Sequence, residues 1–395
     1  MTDLTIALCG FASDGHILKL SDALTRRGAT PLVLAPIPWG RYAYRDGRYF
    51  YAHKSLDHVA AFFVRQTYVP IFDLLHRRAE AVDPLDWLQE VVRMQNNATF
   101  LQAFFDHFER RGCFLANPFS SGERSKQRQG ETAARCGWRV PETFITNSPG
   151  EAFAAIGDGR EYILKPPAGG ALVRKIDAEV LRAFASIDMP VAIQEYIEGE
   201  DVRVYVIEGE AVAAARIETG ELDYRRDPNY IERIHALALP DDVRRRTRAV
   251  MEAHRLVCGS MDLRLTPDGE FVFLEVNSAG SFLELQKVLK VPIADLLAEM
   301  LVTHAKNVTL PEAAPEMLPL AAVVTNGVDG GEQLYDLEAG LDSLRLAMRQ
   351  LIPTSNAVEI ELDAQQQALL LAKSGIRASR ARLDLHTHVL VPIQE

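Results

Sequence analysis

The stretch Phe271–Asn277, which reads FVFLEVN, carries two oxygen-bearing side chains on an otherwise apolar run. Because side chains two residues apart on a strand share a face, Glu275 and Asn277 are expected to point to the same side. The preceding run MDLR carries Asp262 and Arg264 with the same spacing, and the TPDG sequence between the two runs predicts a hairpin turn.

Such a hairpin would place three oxygen ligands and one guanidinium on neighbouring strands. Carboxylate and amide oxygens are the ligands that Mg²⁺ prefers, and this arrangement is typical of a site that holds Mg²⁺ against nucleotide phosphates. Taken alone, the pattern is equally compatible with a polar sheet face that carries one ion pair. The rest of the chain therefore has to decide between these two interpretations.

Length and composition limit the class of protein. A chain of 395 residues predicts two or three domains, and 48% hydrophobic with 25% charged residues is typical of a soluble globular protein. The net charge of −11 argues against general binding of nucleic acid or of an anionic membrane surface. The four cysteines are scattered without a CxxC motif, which predicts reduced thiols in a cytoplasmic protein. We find neither a signal-peptide pattern nor an apolar run of about 18 residues, the length that a membrane span needs.

Periodicity predicts an α/β protein. Residues 4–35 read as strand, helix and strand, but the loop GFASDG after the first strand lacks the G-x-G-x-x-G fingerprint of dinucleotide binding. We expect residues 54–112 to be mostly helical, the aromatic run Trp39–Tyr51 to be a packed loop, and Phe282–Leu301 to be helical around Pro292. Further predicted elements are the strands at 161–166, 191–197, 201–209 and 211–217, the helix Leu334–Leu351, and the strands Ala357–Leu362 and Arg382–Leu390.

The order of the motifs carries a family resemblance. A strand ending in Lys-Pro leads into a glycine loop, QEYIEGE is followed by DVRVY, and Asp-x-Arg and Glu-x-Asn come last. From about Lys126 to Leu301 this series resembles the ATP-grasp ligases. The closest resemblance is to the ribosomal-protein S6 glutamate-ligase and glutathione-synthetase-like branch, which includes microviridin-type peptide ligases. The resemblance implies four parts: an N-terminal βαβ pre-ATP-grasp domain (1–112), two ATP-grasp subdomains (113–190 and 191–310) and a small C-terminal α/β appendage (311–395).

The activity that this resemblance implies is ATP-dependent ligation. A carboxylate is phosphorylated by ATP, and the acyl-phosphate is attacked by an amine or a hydroxyl to give an amide or ester, ADP and phosphate. The substrates would be amino acids that are joined or a peptide that is modified, and the appendage leaves a homodimer open. Phosphoryl transfer of this kind depends on positioning and charge neutralisation more than on covalent help from the protein.

Lysines and glycines are expected to hold the phosphates. Lys165 ends an apolar strand, from which an ammonium can reach phosphate oxygens, and glycines in the next loop allow close backbone approach. The resemblance adds Lys126 as a first nucleotide lysine, the QEYI segment as the hinge that holds adenine, and an acidic residue for the ribose. The expected ATP-binding residues are Lys126, Lys165, Gly169, Gly170, Gln194, Glu195, Tyr196, Ile197, Glu200 and Asp201.

The resemblance also assigns metal and transfer residues. Asp262, Glu275 and Asn277 would be the Mg²⁺ ligands, with two ions sharing Glu275 as the usual number and Mn²⁺ as an alternative metal. Arg203 would contact the transferring phosphate, for which its planar fork is suited, and Arg264 would face the same group. The two arginines expected to grip a substrate carboxylate are Arg216 and Arg225; the latter lies in Asp-Tyr-Arg, where the family pattern has Asp-Trp-Arg.

Two other classes of function stay open on the sequence. One is a nucleotide-binding regulatory protein without catalysis, against which the joint presence of the two lysines and the three metal ligands argues. The other is a dehydrogenase-type α/β enzyme, which needs a dinucleotide loop near residue 10 that this chain lacks.

Overall fold

The computed structural model describes residues 4–37, 39–67, 84–117, 125–156, 160–165, 167, 174–176, 190–222, 224–310, 357–361, 380–384 and 390–393. Only the backbone is described for residues 84–92, 153, 155, 225 and those from 357 onward. The chain divides into two compact units. The first comprises Met1–Gly40, Asp57–Thr67 and Gln102–Ala313, and the second comprises Arg41–Leu56, Tyr68–Leu101 and Ala314–Glu395.

The described part contains both strands and helices, as the α/β prediction requires. The strands are β1 (Thr5–Cys9), β2 (Thr30–Leu34), β3 (Tyr42–Arg45), β4 (Arg48–Tyr51), β5 (Lys54–Ser55), β6 (Val59–Val64), β7 (Phe114–Ala116), β8 (Thr143–Thr146), β9 (Tyr162–Lys165), β10 (Arg174–Lys175), β11 (Val191–Glu195), β12 (Glu200–Ile207), β13 (Glu210–Ile217), β14 (Ile234–Ala236), β15 (Cys258–Leu265), β16 (Phe271–Asn277), β17 (Ala357–Glu361), β18 (Arg380–Asp384) and β19 (Leu390–Ile393). The helices are α1 (Gly15–Arg26), α2 (Pro84–Arg110), α3 (Lys126–Arg135), α4 (Pro149–Ala155), α5 (Asp241–Ala253), α6 (Leu283–Leu289) and α7 (Ile293–Ala305).

The N-terminal sheet of the first unit confirms the predicted βαβ start. Its strand order is β2-β1-β6-β7, and the three neighbouring pairs are parallel. The side chain of Asp14 caps α1 by accepting a hydrogen bond from the backbone N–H of His16, and Gly28 ends the turn after the helix at a φ of 74°.

The prediction of a mostly helical segment from residue 54 was wrong at its beginning. Val59–Val64, VAAFFV, is the strand β6 and is almost fully buried. An inner strand of a parallel sheet is covered on both faces, so it shows a continuous apolar run without period-two alternation. Such a run cannot be told from a buried helix by its periodicity.

The aromatic run Trp39–Tyr51 was predicted to be a loop, and this was also wrong. In the second unit, β3, β4 and β5 form an antiparallel sheet with Tyr42 opposite Tyr51. The two residues between β3 and β4 are Asp46 and Gly47, with φ values of 52° and 79°. Positive φ at both positions is the signature of a tight hairpin turn, and Asp-Gly is a preferred sequence for it.

Two antiparallel sheets of the first unit carry the expected ATP-grasp motifs. One has the order β10-β9-β11-β8, and the other has the order β14-β13-β12-β15-β16. On β12, Val202, Val204 and Val206 pack into a core with residues of α3 and α5, whereas Tyr205 and Ile207 pack into a second core with residues of α1 and α7. Apolar residues on both faces of this five-stranded sheet therefore pack into a core.

The predicted helical stripe around Pro292 is two helices. α6 ends before Lys290, which has a φ of 59°, and α7 begins after Pro292. Proline cannot supply the backbone N–H that a continuous helix needs in its interior, so the stripe breaks there.

The end of the chain holds an antiparallel sheet of order β17-β18-β19 within the described residues. β17 matches the predicted strand Ala357–Leu362, but the predicted strand Arg382–Leu390 was wrong, because its two ends lie in separate antiparallel strands with Leu383 opposite Leu390. The predicted helix Leu334–Leu351 lies outside the described residues. Across the described ranges we find no helix with the length and apolarity that a membrane crossing requires.

Candidate active site

The hairpin of β15 and β16 brings the predicted metal ligands together. Asp262 lies opposite Glu275, and Ser260 lies opposite Asn277 in the antiparallel register. The turn is closed by a hydrogen bond from the Thr266 N–H to the carbonyl of Glu270. Strand pairing thus places the two carboxylates and the Asn277 amide side by side, as the spacing in the sequence predicts.

Asp262 is held by an arginine from the neighbouring strand β12. Arg203 lies opposite Asp262, and its Nε and Nη2 donate to the two carboxylate oxygens at 2.8 and 3.0 Å. Burial disfavours the charge on Arg203, but the Asp262 carboxylate outweighs it and raises the pKa of the guanidinium. This fork arrangement fixes a permanent positive charge beside the carboxylates.

Glu275 lies between a lysine and an amide. The Nζ of Lys126 is 2.6 Å from one carboxylate oxygen, and the Asn277 amide donates to the other at 2.8 Å. Burial alone would raise the pKa of Glu275, but Lys126, the Asn277 hydrogen bond and Lys165 together lower it to about 2. Glu275 is therefore ionised at neutral pH, which is the state that a metal ligand requires.

Lys165 ends β9 and faces the same array. Its Nζ donates to the side-chain oxygen of Gln194 at 2.7 Å, and the Gln194 amide donates to the hydroxyl of Thr143 at 2.8 Å. Burial, followed by repulsion from Lys126, lowers the pKa of Lys165 to about 8, and Glu275 only partly opposes this. The ammonium is thus aimed by a buried glutamine and titrates near the physiological range.

The predicted role of Lys165 in binding ATP phosphates implies a pH dependence. Because its pKa is lowered, the fraction of ammonium falls as the pH rises through about 8, and the affinity for the ATP phosphates should fall with it. We expect the KM for ATP, measured by ADP release, to rise on the order of tenfold between neutral and strongly alkaline pH. Lys165→Arg keeps a charged group across this range and should flatten the rise of the KM with pH. The control Lys287→Arg on α6 should show the same rise as the wild type. An equally steep rise in Lys165→Arg would contradict the assignment.

Two residues that the sequence reasoning missed hold this array in place. Gln129, on α3 one turn after Lys126, pairs its side-chain amide with the backbone of Val276, donating to its carbonyl at 2.9 Å and accepting from its N–H at 3.0 Å. Asn117 donates to the carbonyls of Cys258 and Ser278 at 2.8 and 2.7 Å. Polar side chains that satisfy an edge-strand backbone set the register of that strand. For Gln129 the available signal was its spacing of three residues from Lys126 on one helix face.

The predicted adenine hinge, residues 194–197, begins at the last two residues of β11, and hydrogen bonds hold it to neighbouring segments. Arg264 is buried, its Nη1 lies 2.8 Å from Asp201, and its Nε donates to the carbonyl of Ile197 at 3.0 Å. The Glu195 N–H donates to the carbonyl of Glu142 at 2.8 Å. Arg264 thus braces the hinge and Asp201 in this structure, and its role toward the transferring group stays a prediction.

Some of the remaining predicted residues make contacts away from the proposed metal ligands, and for others the structure describes no side chain. Arg216 pairs with Glu200 at 3.5 Å and with Glu218 at 2.8 Å and is partly exposed. The ring of Tyr196 lies 4.7 Å from the Nζ of Lys175. Gly169, Gly170 and the side chain of Arg225 lie outside what the structure describes.

The donor set fits Mg²⁺. Two carboxylates and one amide oxygen are hard oxygen ligands, and one of the carboxylates is held ionised by its surroundings. In the described ranges we find no group of three His, Cys, Asp or Glu side chains arranged for a metal. Asp262, Glu275 and Asn277 are thus the residues that would hold the ion.

Comparison with known proteins agrees with this geometry. Residues 171–301 match the family described as RimK-like ATP-grasp domain. A curated relative from Shewanella amazonensis, named probable alpha-L-glutamate ligase 2, is 28% identical over 240 residues, which is 57% of this chain and 79% of the relative.

Two solved structures extend the similarity across most of the fold. The ATP-grasp ligase PsnB, complexed with a minimal precursor, Mg and ADP, has a TM-score of 0.62 and 27% identity, covering 77% of this chain and 99% of PsnB. The macrocyclase MdnC of Microcystis aeruginosa, bound with precursor peptide MdnA, has a TM-score of 0.59 and covers 76% of this chain and 100% of its own. Its identity is 17%, so this second likeness concerns the fold alone.

Proposed function

We propose, from the premise that this chain is an ATP-grasp ligase with a RimK-like domain, that it joins a carboxylate to an acceptor group on a peptide. ATP-dependent ligation is the activity that the relatives share. The similarity to PsnB supports a peptide acceptor. It extends over 99% of the PsnB chain, and the PsnB structure contains a precursor.

The observation that carries the proposal is the clustering of charges around the β15–β16 hairpin. Lys126 contacts Glu275, Arg203 contacts Asp262, and the pKa of Lys165 responds to both Lys126 and Glu275. Three cations beside two carboxylates match a metal-bound polyphosphate, because the carboxylates hold the ion and the cations bind phosphate oxygens. Mg²⁺ bound there would neutralise charge on the phosphates of ATP.

Each chain residue then has a role in the reaction. Lys126 and Lys165 would bind phosphate oxygens and orient the γ-phosphoryl group. Arg203 would stabilise the transferring phosphoryl group and the acyl-phosphate, because a guanidinium already fixed by Asp262 needs no reorganisation. We propose two ions at this site, and Asp262, Glu275 and Asn277 are the residues that would hold them.

A mass-spectrometric assay tests this function. The purified chain is incubated with Mg²⁺, ATP and a panel of peptides and free amino acids, with a nonhydrolysable ATP analogue as control. We expect a peptide product that has lost water relative to its components, with one ADP released for each bond formed. ADP release that depends only on free amino acids would replace the peptide with a small-molecule acceptor. Failure of every acceptor to promote ADP release would contradict the ligase assignment.

A further inference from the structure

A row of hydrogen-bonded polar side chains joins the start of α1 to the segment that follows β16. Asp14 Oδ1 is 2.8 Å from Nδ1 of His16, whose Nε2 is 3.0 Å from the hydroxyl of Ser281. That hydroxyl donates to the carboxylate of Glu284 at 2.6 Å. The chain therefore links an aspartate, a histidine, a serine and a glutamate in one row.

The partners of His16 fix which nitrogen carries the proton. Asp14 is an acceptor, so Nδ1 carries the proton, and Nε2 accepts from the N–H of Phe282 at 3.3 Å. Burial and the nearby guanidinium of Arg65 lower the pKa of His16, whereas Asp14 and Glu284 partly oppose this. The imidazole is thus neutral at neutral pH, and the single hydroxyl proton of Ser281, which Glu284 accepts in this structure, can turn to Nε2 only once Glu284 is itself protonated.

The position of this row in the fold is one where ligands bind. Asp14 and His16 follow β1, and Arg65 follows β6, the adjacent parallel strand. In open α/β sheets, ligands bind outside the carboxyl ends of parallel strands. Ser281 comes four residues after Asn277, so the row connects this edge to the segment that leaves the proposed metal site.

One tyrosine is influenced electrostatically by both Glu284 and the proposed phosphoryl-binding arginine. Burial and the charge of Glu284 raise the pKa of Tyr230, while Arg203 lowers it, so this ring is within electrostatic reach of both groups. The Arg203 guanidinium is also 5.6 Å from the ring of Tyr224, which is 5.2 Å from that of Tyr230. Over the ranges that the structure describes, no lysine or arginine forms a salt bridge with Glu284. A carboxylate that can receive a cation and a guanidinium suited to an anion therefore both act on the same tyrosine.

We propose that Glu284, Ser281 and His16 form a relay that binds the acceptor as a protonated amine and removes one proton from it. The inference rests on the proposed ligase function and narrows its acceptor from an amine or hydroxyl to an amine. A carboxylate attracts an ammonium, and an amine can attack only after it has lost the proton that blocks its lone pair.

The proton transfer balances without a further reactant. One N–H bond of the ammonium breaks and Glu284 takes the proton; Glu284 passes a proton to the Ser281 oxygen as the serine hydroxyl proton moves to Nε2 of His16. The result is a neutral amine and an imidazolium held by Asp14, with Ser281 and Glu284 unchanged. The amine then attacks the acyl-phosphate, the C–N bond forms, the C–O bond to phosphate breaks, and the second amine proton leaves with the phosphate.

NMR of histidine-labelled full-length protein tests the relay without ATP or turnover. Methylammonium chloride is the probe, and methanol and tetramethylammonium are the controls, since neither can both bind a carboxylate and give up a proton. We expect methylammonium to shift the ring nitrogen signals of His16 in a saturable way and to leave those of His304, which pairs with Glu208 at 2.7 Å, unchanged.

Ser281→Ala decides between a relay and a simple contact. It removes the hydroxyl between Glu284 and His16 but keeps both of these residues, so methylammonium should no longer shift the His16 ring nitrogen signals. Glu284→Gln should abolish binding of methylammonium itself. His16 signals that do not shift with methylammonium in the wild type, or that shift equally in Ser281→Ala, would contradict the proposed relay. Because this measurement needs no nucleotide, its failure is distinct from a failure of ADP release, which would overturn the ligase function.

Discussion

Replacing Glu275 with glutamine should lower the kcat for ADP release by roughly a thousandfold, the loss expected when a main electrostatic group of a transfer site is removed. Glutamine keeps the shape of the side chain and can still accept a hydrogen bond, but it loses the charge that a pKa of about 2 holds in place. A metal ligand becomes neutral, and Lys126 loses the carboxylate that it contacts at 2.6 Å. Activity should fall while the free protein stays folded.

Glu270→Gln is the matched control for this variant. Glu270 lies in the turn of the same hairpin, directly before β16, and its half-exposed side chain pairs with Arg139 at 2.5 Å. We expect its kcat to stay within about twofold of the wild type, because exposed ion pairs contribute little. Full ADP release by Glu275→Gln, or an equal loss in Glu270→Gln, would show that the charge at Glu275 is not required.

Replacing Arg203 with lysine should lower kcat on the order of a hundredfold. Lysine keeps the positive charge but cannot form the two parallel hydrogen bonds that Arg203 donates to Asp262 at 2.8 and 3.0 Å. The ammonium would be less well oriented toward a phosphoryl group, so the loss should fall mainly on kcat and less on the KM for ATP. Steady-state kinetics with varied ATP separates the two effects.

An exposed arginine provides the comparison for Arg203. Arg248, on α5, pairs with Glu210 at the surface. Arg248→Lys should keep wild-type kinetics, because a lysine can replace an arginine in an exposed pair at little cost. A loss confined to the KM in Arg203→Lys would assign this arginine to ground-state binding instead of to the transferring group.

The central hairpin was predictable because its geometry is local. The alternation in FVFLEVN and the turn between the two runs determine which side chains share a face, and the register of Asp262 with Glu275 follows from them. The buried strand β6 was misassigned because its run of apolar residues has no period. The hairpin turn at Asp46 and Gly47 has a local signal, because Asp-Gly between two short runs rich in aromatic residues is typical of a hairpin.

The contacts that hold the hairpin against the rest of the unit could not be predicted. Gln129 meets Val276 across 147 residues of sequence, and no local pattern specifies such a partner. The same holds for Arg264. Its spacing from Asp262 predicts which face of the sheet it lies on, but not that it pairs with Asp201. His16 and Ser281 are 265 residues apart, and only the fold brings them within hydrogen-bond distance.

A crystal structure with Mn²⁺ and a nonhydrolysable ATP analogue tests the central claim most directly, because anomalous scattering locates the metal independently of the surrounding density. We predict metal bound by oxygen atoms of Asp262, Glu275 and Asn277, with Lys126 turned from Glu275 toward a phosphate and Lys165 on the same polyphosphate. Nucleotide bound away from the β15–β16 hairpin, or metal held without Glu275, would contradict the account.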